Sequence, residues 1–307
     1  MLRFALLRIL GAIPTLLLVI VAAFLLVRSA PGGPFDSERV LPPEIEANIN
    51  EYYQLDQPLT AQFKQYFTGL LKGDLGPSYR FRDHSVGELI REAFPLSLQI
   101  GACAIALALV VGGLAGIFAA LRKDTITDRL VTGTAMAGIS IPVLIVAPLL
   151  LLVFAVHLHW LPSSWSSGGG VSRLVLPVIA LALPQIAYIA RLMRASMIDV
   201  LQSDFVRTAR AQGLGAASII RHHALKPALL PLVSYLGPAI AGILTGSVVV
   251  EEVFGVPGLG QFFVRAATNR DYTLVLGIVI FYATLIIFLN LLVDIAYGIL
   301  DPRTRKR

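Results

Sequence analysis

Six stretches of mostly apolar residues recur along the chain: Ile9–Val27, Ser97–Leu121, Val131–Val156, Leu174–Leu192, Ala228–Val250 and Leu274–Val293. Each is near the length of about 20 residues that a helix needs to cross a hydrocarbon core. None alternates polar and apolar positions as a barrel strand would. The fourth is the most polar, with Gln185 inside it and Arg191 at its end. Gly112, Gly113, Gly116, Gly242, Pro142, Pro148, Pro177 and Pro184 fall within the runs. Small residues let helix backbones approach closely, and neighbouring helices tolerate proline kinks. The pattern predicts an all-α, polytopic membrane protein with six transmembrane helices.

Composition strengthens that reading. Of 307 residues, 56% are hydrophobic and only 14% charged, with a mean hydropathy of +0.76. A soluble domain carries about a quarter charged residues, so a water-soluble enzyme, a disordered chain and a disulfide-built module are all excluded. The single cysteine, Cys103, sits inside an apolar run. Arg3 and Arg8 before the first run resemble a secretory leader. The run exceeds the ~7–15 residues of a leader core, however, and Arg28 follows it, so a retained anchor is expected.

Charge sets the sidedness. Segments 1–8, 122–130, 191–227 and 294–307 hold fifteen Lys/Arg and six acids; 28–96, 157–173 and 251–273 hold ten and thirteen. Basic residues mark the cytoplasmic side, which puts both termini inside. The net charge of +6 is then a topology signal, not a nucleic-acid surface.

Two connecting regions are too elaborate to be simple links. In residues 28–96, Leu41-Pro42-Pro43-Glu44 opens one helix, continued by Ile45, Ile49 and Tyr52. Thr60 as N-cap opens a second, whose Phe63, Tyr66, Phe67, Leu70 and Leu71 share a face. This predicts a small external helical cap between helices 1 and 2, packed on the bundle, used to dock a partner, or both. In residues 193–227, Ala209, Leu214, Ala217 and Ile220 form one apolar face at helical spacing, while Arg207, Arg210 and Arg221 stay solvated. Gly213 and Gly215 interrupt it, at about 1 kcal/mol each relative to alanine, as suits a bend or a close-approaching partner.

The same residues carry a family resemblance. Arg207-Thr208-Ala209-Arg210-Ala211-Gln212-Gly213-Leu214, then Arg221-His222-His223-Ala224-Leu225-Lys226-Pro227, resemble the "EAA" cytoplasmic loop of ATP-binding-cassette (ABC) importer permeases, in the wording of the peptide and nickel branch. Ala30-Pro31-Gly32-Gly33-Pro34, Gly73-Asp74-Leu75-Gly76, the run Glu251-Glu252-Val253-Phe254-Gly255-Val256-Pro257-Gly258-Leu259-Gly260 and Asp301-Pro302-Arg303 agree. The resemblance spans the chain and is nearest to the B-type membrane subunit of oligopeptide permeases. Arg207 stands where the motif is acidic, so a carboxylate contact is not carried over, and the closing proline falls one place late, at Pro227.

The resemblance implies a type I permease fold in the bacterial inner membrane, with an anchor and cap over 1–96 and a five-helix core over 97–305. It implies a peptide as cargo, a homologous second permease, two ATPase subunits that bind ATP and Mg, and a periplasmic or surface peptide-binding protein. The ATPase-coupling residues would be Arg207, Thr208, Ala209, Arg210, Gly213, Leu214, Gly215 and His223. Glu251, Phe254, Pro257, Gly258, Gly260 and Phe262 would belong to an external loop. Phe254, Pro257, Leu259, Phe262 and Phe263 there expose apolar area, so the loop is expected to re-enter the external mouth, to touch the binding protein, or simply to pack on neighbouring helix ends.

The chain has no phosphate-binding GxxxxGK[ST] loop, so it is not expected to hydrolyse ATP or to hold a cofactor itself. His157 and His159, and adjacent His222 and His223, diverge too much to share a metal. A nickel permease is the alternative within the family. An ion-coupled secondary transporter is the alternative outside it, disfavoured because the predicted spans contain no acid. Sidedness is testable. In a Cys103→Ser chain, Glu46→Cys should react with an impermeant thiol reagent in intact cells, and Thr304→Cys only after lysis. The reverse labelling contradicts the assigned orientation.

Overall fold

The computed structural model describes residues 2–29, 56–81, 83–165 and 170–300, and these are almost wholly helical. The order is α1 (Leu2–Ser29), α2 (Leu59–Leu71), α3 (Val86–Leu121), α4 (Ile126–Ser140), α5 (Val143–Leu150, continued as a π-helical stretch Leu151–His157), α6 (Ser172–Leu201), α7 (Asp204–Ala211), α8 (Leu225–Phe254), α9 (Leu259–Thr268) and α10 (Tyr272–Leu300). Five of them, α1, α3, α6, α8 and α10, are long and apolar enough to span a membrane.

The third predicted span is corrected. Instead of one helix over Val131–Val156, α4 and α5 meet at 103°. The cause is Pro142, which cannot donate to the preceding turn and forces Ile141 into an extended conformation (φ −92°, ψ 118°). Counting the bent pair as one broken span gives the sixth. The other helices also outrun their apolar stretches. Helix α3 starts at a capping box, in which the Ser85 hydroxyl accepts from Glu88 N–H (3.2 Å) and the Glu88 carboxylate from Ser85 N–H (2.9 Å). It then runs unbroken through residue 96, where the sequence put a boundary. Helix α2 starts after Pro58 rather than at Thr60, and the cap helix expected from Leu41 lies outside the described residues.

Helices α3 and α6 form the most extensive pairing in the bundle. Gly112 and Gly116 permit it: a Cβ at Gly112 would lie 2.7 Å from the Ile186 carbonyl oxygen, and one at Gly116 2.5 Å from that of Ala190. This is the small-xxx-small spacing of close helix pairs. Helix α1 packs along α10, with Ile20 and Phe24 buried and Arg8 paired to Asp294 at 3.1 Å. Helix α2 lies over the end of α1, where Phe24 meets Phe63 edge-on at 5.2 Å.

One charge pair is unheralded in the sequence. Asp128 of α4, 4% exposed, takes a two-pronged contact from Arg194 of α6, through Nε and through Nη2 at 2.6 Å. Its other acceptor sites hold Asp124 N–H (2.9 Å) and the Thr132 hydroxyl (3.4 Å). The two residues lie 66 positions apart, so no spacing rule connects them.

Overpacking at a backbone contact costs about 1–3 kcal/mol or more. Gly116→Leu is therefore expected to lower the thermal midpoint of the purified protein by several degrees. Gly113→Ala, whose added Cβ meets nothing within 4 Å, should change it little. Equal midpoints for both variants would contradict the α3–α6 contact.

Candidate functional site

The bundle has a cap end, which carries α2, the turn before α3 and α9, and an opposite end, which carries α7. At the opposite end Ser203 precedes α7, and Asp204 puts a carboxylate in its first turn, where the helix dipole favours it. Gly213 closes α7 in a left-handed conformation (φ +81°). Gly213 N–H donates to Arg210 O (3.0 Å) and Leu214 N–H to Ala209 O (3.2 Å), a Schellman closure. Beyond it Ala216–Ser218 makes one short helical turn, and Ile219–Ala224 a π-helical stretch that runs into α8.

The apolar face expected here is corrected. Val206, Ala209 and Ile219 are buried together against Val200, whereas Leu214 and Ala217 are exposed. A single helical period does not run through Gly213, because the chain reverses there and restarts its phase. Arg207, Thr208 and Arg210 project from α7 into the open, Arg207 touching Asp204 at 3.4 Å. Leu214 and Gly215 are exposed and His223 is half-buried. The result is a short helix held from beneath by three side chains, with a low rim from Ala211 to Ala217.

At the cap end the segment after α8 turns back into the protein. Glu251, in the last turn of α8, is fully buried. Its Oε2 accepts Gly260 N–H (2.7 Å), and the Ser97 hydroxyl of α3 accepts Leu259 N–H (2.8 Å). Helix α9 begins after Gly258, which has no side chain to cap it, so α8 and α3 supply the caps. A Cβ at Gly258 would collide with both the Glu251 carboxylate and the Ser97 hydroxyl. A second buried carboxylate, Asp271, accepts Leu274 N–H (3.2 Å) at the start of α10. It also receives Tyr79 and Arg80 N–H (3.2 Å each) and the Ser78 hydroxyl.

This overturns the exposed apolar loop expected over 251–273. Phe254 is 3% exposed and Leu259 fully buried; Gly258 and Gly260 are buried, and the Phe262 ring packs at a tilt against Phe81, centroids 5.5 Å apart. Within this run Glu252, Gly255 and Pro257 keep open surface. Glu251 and Phe254 belong to the interior because α8 continues four residues past the apolar stretch that defined its span.

Between the ends, α6 and α8 share a polar seam. The Tyr235 hydroxyl donates to Gln185 Oε1 (2.8 Å), Tyr188 and Tyr235 stack at 4.1 Å, and the Arg191 guanidinium lies 5.4 Å from the Tyr188 ring centre. The exposed positions of α8 are Lys226, Pro231, Ser234, Pro238, Gly242, Thr245 and Glu252, at helical spacing. Neither α6 nor α8 contributes to the exposed large hydrophobic side chains, whereas α1, α3, α4, α5 and α10 all do. Pro231 and Pro238 lack an N–H and so leave the carbonyls of Pro227 and Ser234 without their helical donors. Lipid would leave such groups unsatisfied. This face therefore suits water or another helix, not hydrocarbon. The two histidines after α5 are engaged locally, with His157 Nδ1 3.0 Å from Leu152 O and His159 Nδ1 3.2 Å from His157 O.

Comparison with known proteins agrees with this architecture. Residues 112–306 match the family of binding-protein-dependent transport system inner membrane components, and residues 1–100 match its N-terminal family. The chain is 50% identical over 305 residues to the oligopeptide transport system permease protein OppB of Escherichia coli (strain K12), covering 99% of this chain and 100% of that protein. It is 40% identical over 306 residues to the dipeptide transport system permease protein DppB of Bacillus subtilis (strain 168), covering 99% and 98%. Among solved structures, a chain of the inward-facing MetNI methionine ABC transporter shares the fold, with TM-score 0.52 at 19% identity over 69% of this chain and 94% of that one. The chain belongs to the family of binding-protein-dependent transport system inner membrane components: it is a multi-pass inner-membrane protein with the type I ABC importer permease fold.

The caps on α9 can be tested directly. Ser97→Ala should cost about 1 kcal/mol, as loss of a helix cap does, and Glu251→Leu about 1–3 kcal/mol by stranding the buried Gly260 N–H. Amide exchange over 256–262 should quicken in both. Unchanged exchange would contradict the assignment.

Proposed function

We propose that this chain, as a member of that family, is the permease subunit of an ATP-driven peptide importer and forms half of its translocation pathway. The observation that carries this reading is the outward face of α8. A spanning helix that presents proline, serine, glycine and threonine, with proline-freed carbonyls, has no use for lipid and suits a wet path. The seam of Gln185, Tyr188 and Tyr235 extends that surface onto α6. The relatives are named for oligopeptides and dipeptides, which favours peptide over nickel, and a nickel path would want imidazole or carboxylate ligands that the seam lacks.

The remaining parts are proposed with it. A homologous permease covers the face that α6 and α8 leave open, and two ATPase subunits bind and hydrolyse ATP at the α7 ends of the pair. A soluble peptide-binding protein unloads at the cap end, against Glu252, Gly255 and Pro257 rather than Phe254. The cap end lies outside, and both termini inside, as the basic residues predict. Residues 1–96 serve as anchor and cap, and 97–305 as the working core. Differential affinity of the ATPases for nucleotide in two states would drive α7, since a ligand shifts an equilibrium only by that difference.

The grip on α7 distinguishes this function from an ion-driven carrier. Gly213 holds a left-handed turn, so a large residue there would break the closure itself. Gly215 is the cleaner probe: its backbone is extended (φ −66°, ψ 151°) and a Cβ meets nothing within 4 Å. Exposed ion pairs contribute only about 0.2–1 kcal/mol, so shape should outweigh charge. In reconstituted complexes, Gly215→Trp is expected to abolish ATP-dependent peptide uptake while the protein still inserts and assembles. Arg210→Ala should lower uptake less than about fivefold. Full uptake by an assembled Gly215→Trp complex would overturn the coupling role of this segment.

A further inference from the structure

The cap end holds a cavity of about 290 Å³ that lies off the α6–α8 seam. It sits between the end of α1, helix α2, the turn after α2 and the start of α10, and Phe24, Arg28, Tyr66, Asp74, Tyr272 and Thr273 help to line it. Two buried polar atoms in this wall, Arg28 Nε and the Tyr66 hydroxyl, have no hydrogen-bond partner. An unmet buried donor costs about 1–3 kcal/mol, and more when charged. Such groups persist in a folded protein where something else supplies the acceptor.

The two donors are held in place. The Arg28 guanidinium lies 5.7 Å from the ring centre of Phe24, and that ring, 2% exposed, stacks on Tyr66 at 6.2 Å. No ion pair among the described residues neutralises Arg28. Asp74, the acid in the lining, closes its own turn by accepting Gly76 N–H at 2.9 Å. Burial pushes the Tyr66 phenol well above its ordinary value, so the hydroxyl stays protonated and available to donate. One cation and one neutral donor, both facing an open volume, call for an anion with more than one oxygen.

We propose that this cavity is an oxyanion site in which Arg28 and Tyr66 together hold one carboxylate or phosphate group. A guanidinium matches either group with two parallel N–H donors, and the phenol adds a third contact that a lone surface arginine lacks. The chemistry has two natural sources at this position. One is the phosphate of a lipid headgroup, since Arg28 ends a membrane-spanning helix; the other is the terminal carboxylate of a peptide arriving from the cap side. The site stands apart from the transport reading, because the lipid source needs no cargo at all.

The test uses the intact, detergent-purified transporter containing this full chain, stripped of lipid. Thermal midpoints are followed against short-chain phosphatidylglycerol in one arm and trialanine in the other, with C-terminally amidated trialanine as its control. A saturable rise of several degrees is expected in one arm, lost in Arg28→Gln and reduced in Tyr66→Phe, which keeps the ring that stacks on Phe24. A rise with the lipid assigns a phosphate, and a rise with trialanine but not its amide assigns a carboxylate. If Arg28→Gln fails to fold, the Tyr66→Phe titration decides alone. No saturable rise in either arm, or the same rise in wild type and Tyr66→Phe, overturns the proposal.

Discussion

Every N–H that a helix leaves free at its start must find an acceptor within the protein when water is kept away, because lipid provides none. The cap end is organised by that requirement. Helix α9 begins at a glycine and borrows its acceptors from Glu251 and Ser97, on two other helices. Helix α10 begins at Asp271, whose carboxylate also gathers residues 78–80 from nearly two hundred positions away. Each of these two buried acids sits at the positive end of a helix dipole, and among the described residues neither forms an ion pair. The connections among α3, α8, α9 and α10 are thus fixed by a handful of buried hydrogen bonds.

The opposite end is built on another principle. Helix α7 rests on Val206, Ala209 and Ile219, with Val200 beneath, and its polar side chains face outward. A segment with so small a buried footprint moves more readily than one pinned by buried carboxylates, because few contacts must break. The tight pin at that end is Asp128–Arg194, which ties α4 to α6 and leaves α7 alone. One end is thereby clamped and the other is lightly seated, as the proposed drive through α7 would require.

The spans were legible because hydropathy over twenty residues is a strong signal. Their ends were not, since hydropathy reports where apolar character stops and not where the helix does. Val86–Phe94 is amphipathic helix beyond any apolar run, and Glu251 looks like the first residue of a loop until its turn is seen to continue. Pro142 was visible, but the 103° between α4 and α5 depends on packing that no local rule contains. The α7 segment was located by its motif, while its buried face was misplaced because Gly213 resets the helical phase. Phe254 and Leu259 look exposed from their place in a connector, yet apolar residues in a connector are as readily a buried anchor. Asp128–Arg194 and the Arg28–Tyr66 cavity join residues remote in sequence, and nothing in either neighbourhood announces the other.

Helix α6 brings these parts into one line. It carries Gln185, Tyr188 and Arg191 of the polar seam, then Arg194 of the buried pair, then Ser196, whose hydroxyl donates to Ala228 O of α8 at 2.9 Å, and ends three residues before α7. This helix of 30 residues is about 45 Å long, and its prolines, Pro177 and Pro184, lie on the cap side of Gln185, so a displacement of α7 of the kind proposed would reach the seam through unbroken helix from Leu201 onward. Because Ser196 ties α6 to the start of α8, and Ile219–Ala224 leads from the far side of the α7 turn into that same helix, a push at α7, as proposed above, would reach both walls of the seam together. In the proposed mechanism the clamped cap end would supply the fixed point about which they tilt. A weakly polar face on helices held at one end and lightly seated at the other is what the proposed alternating access would demand of a single subunit, and here it follows from where the helices are capped and where they are not.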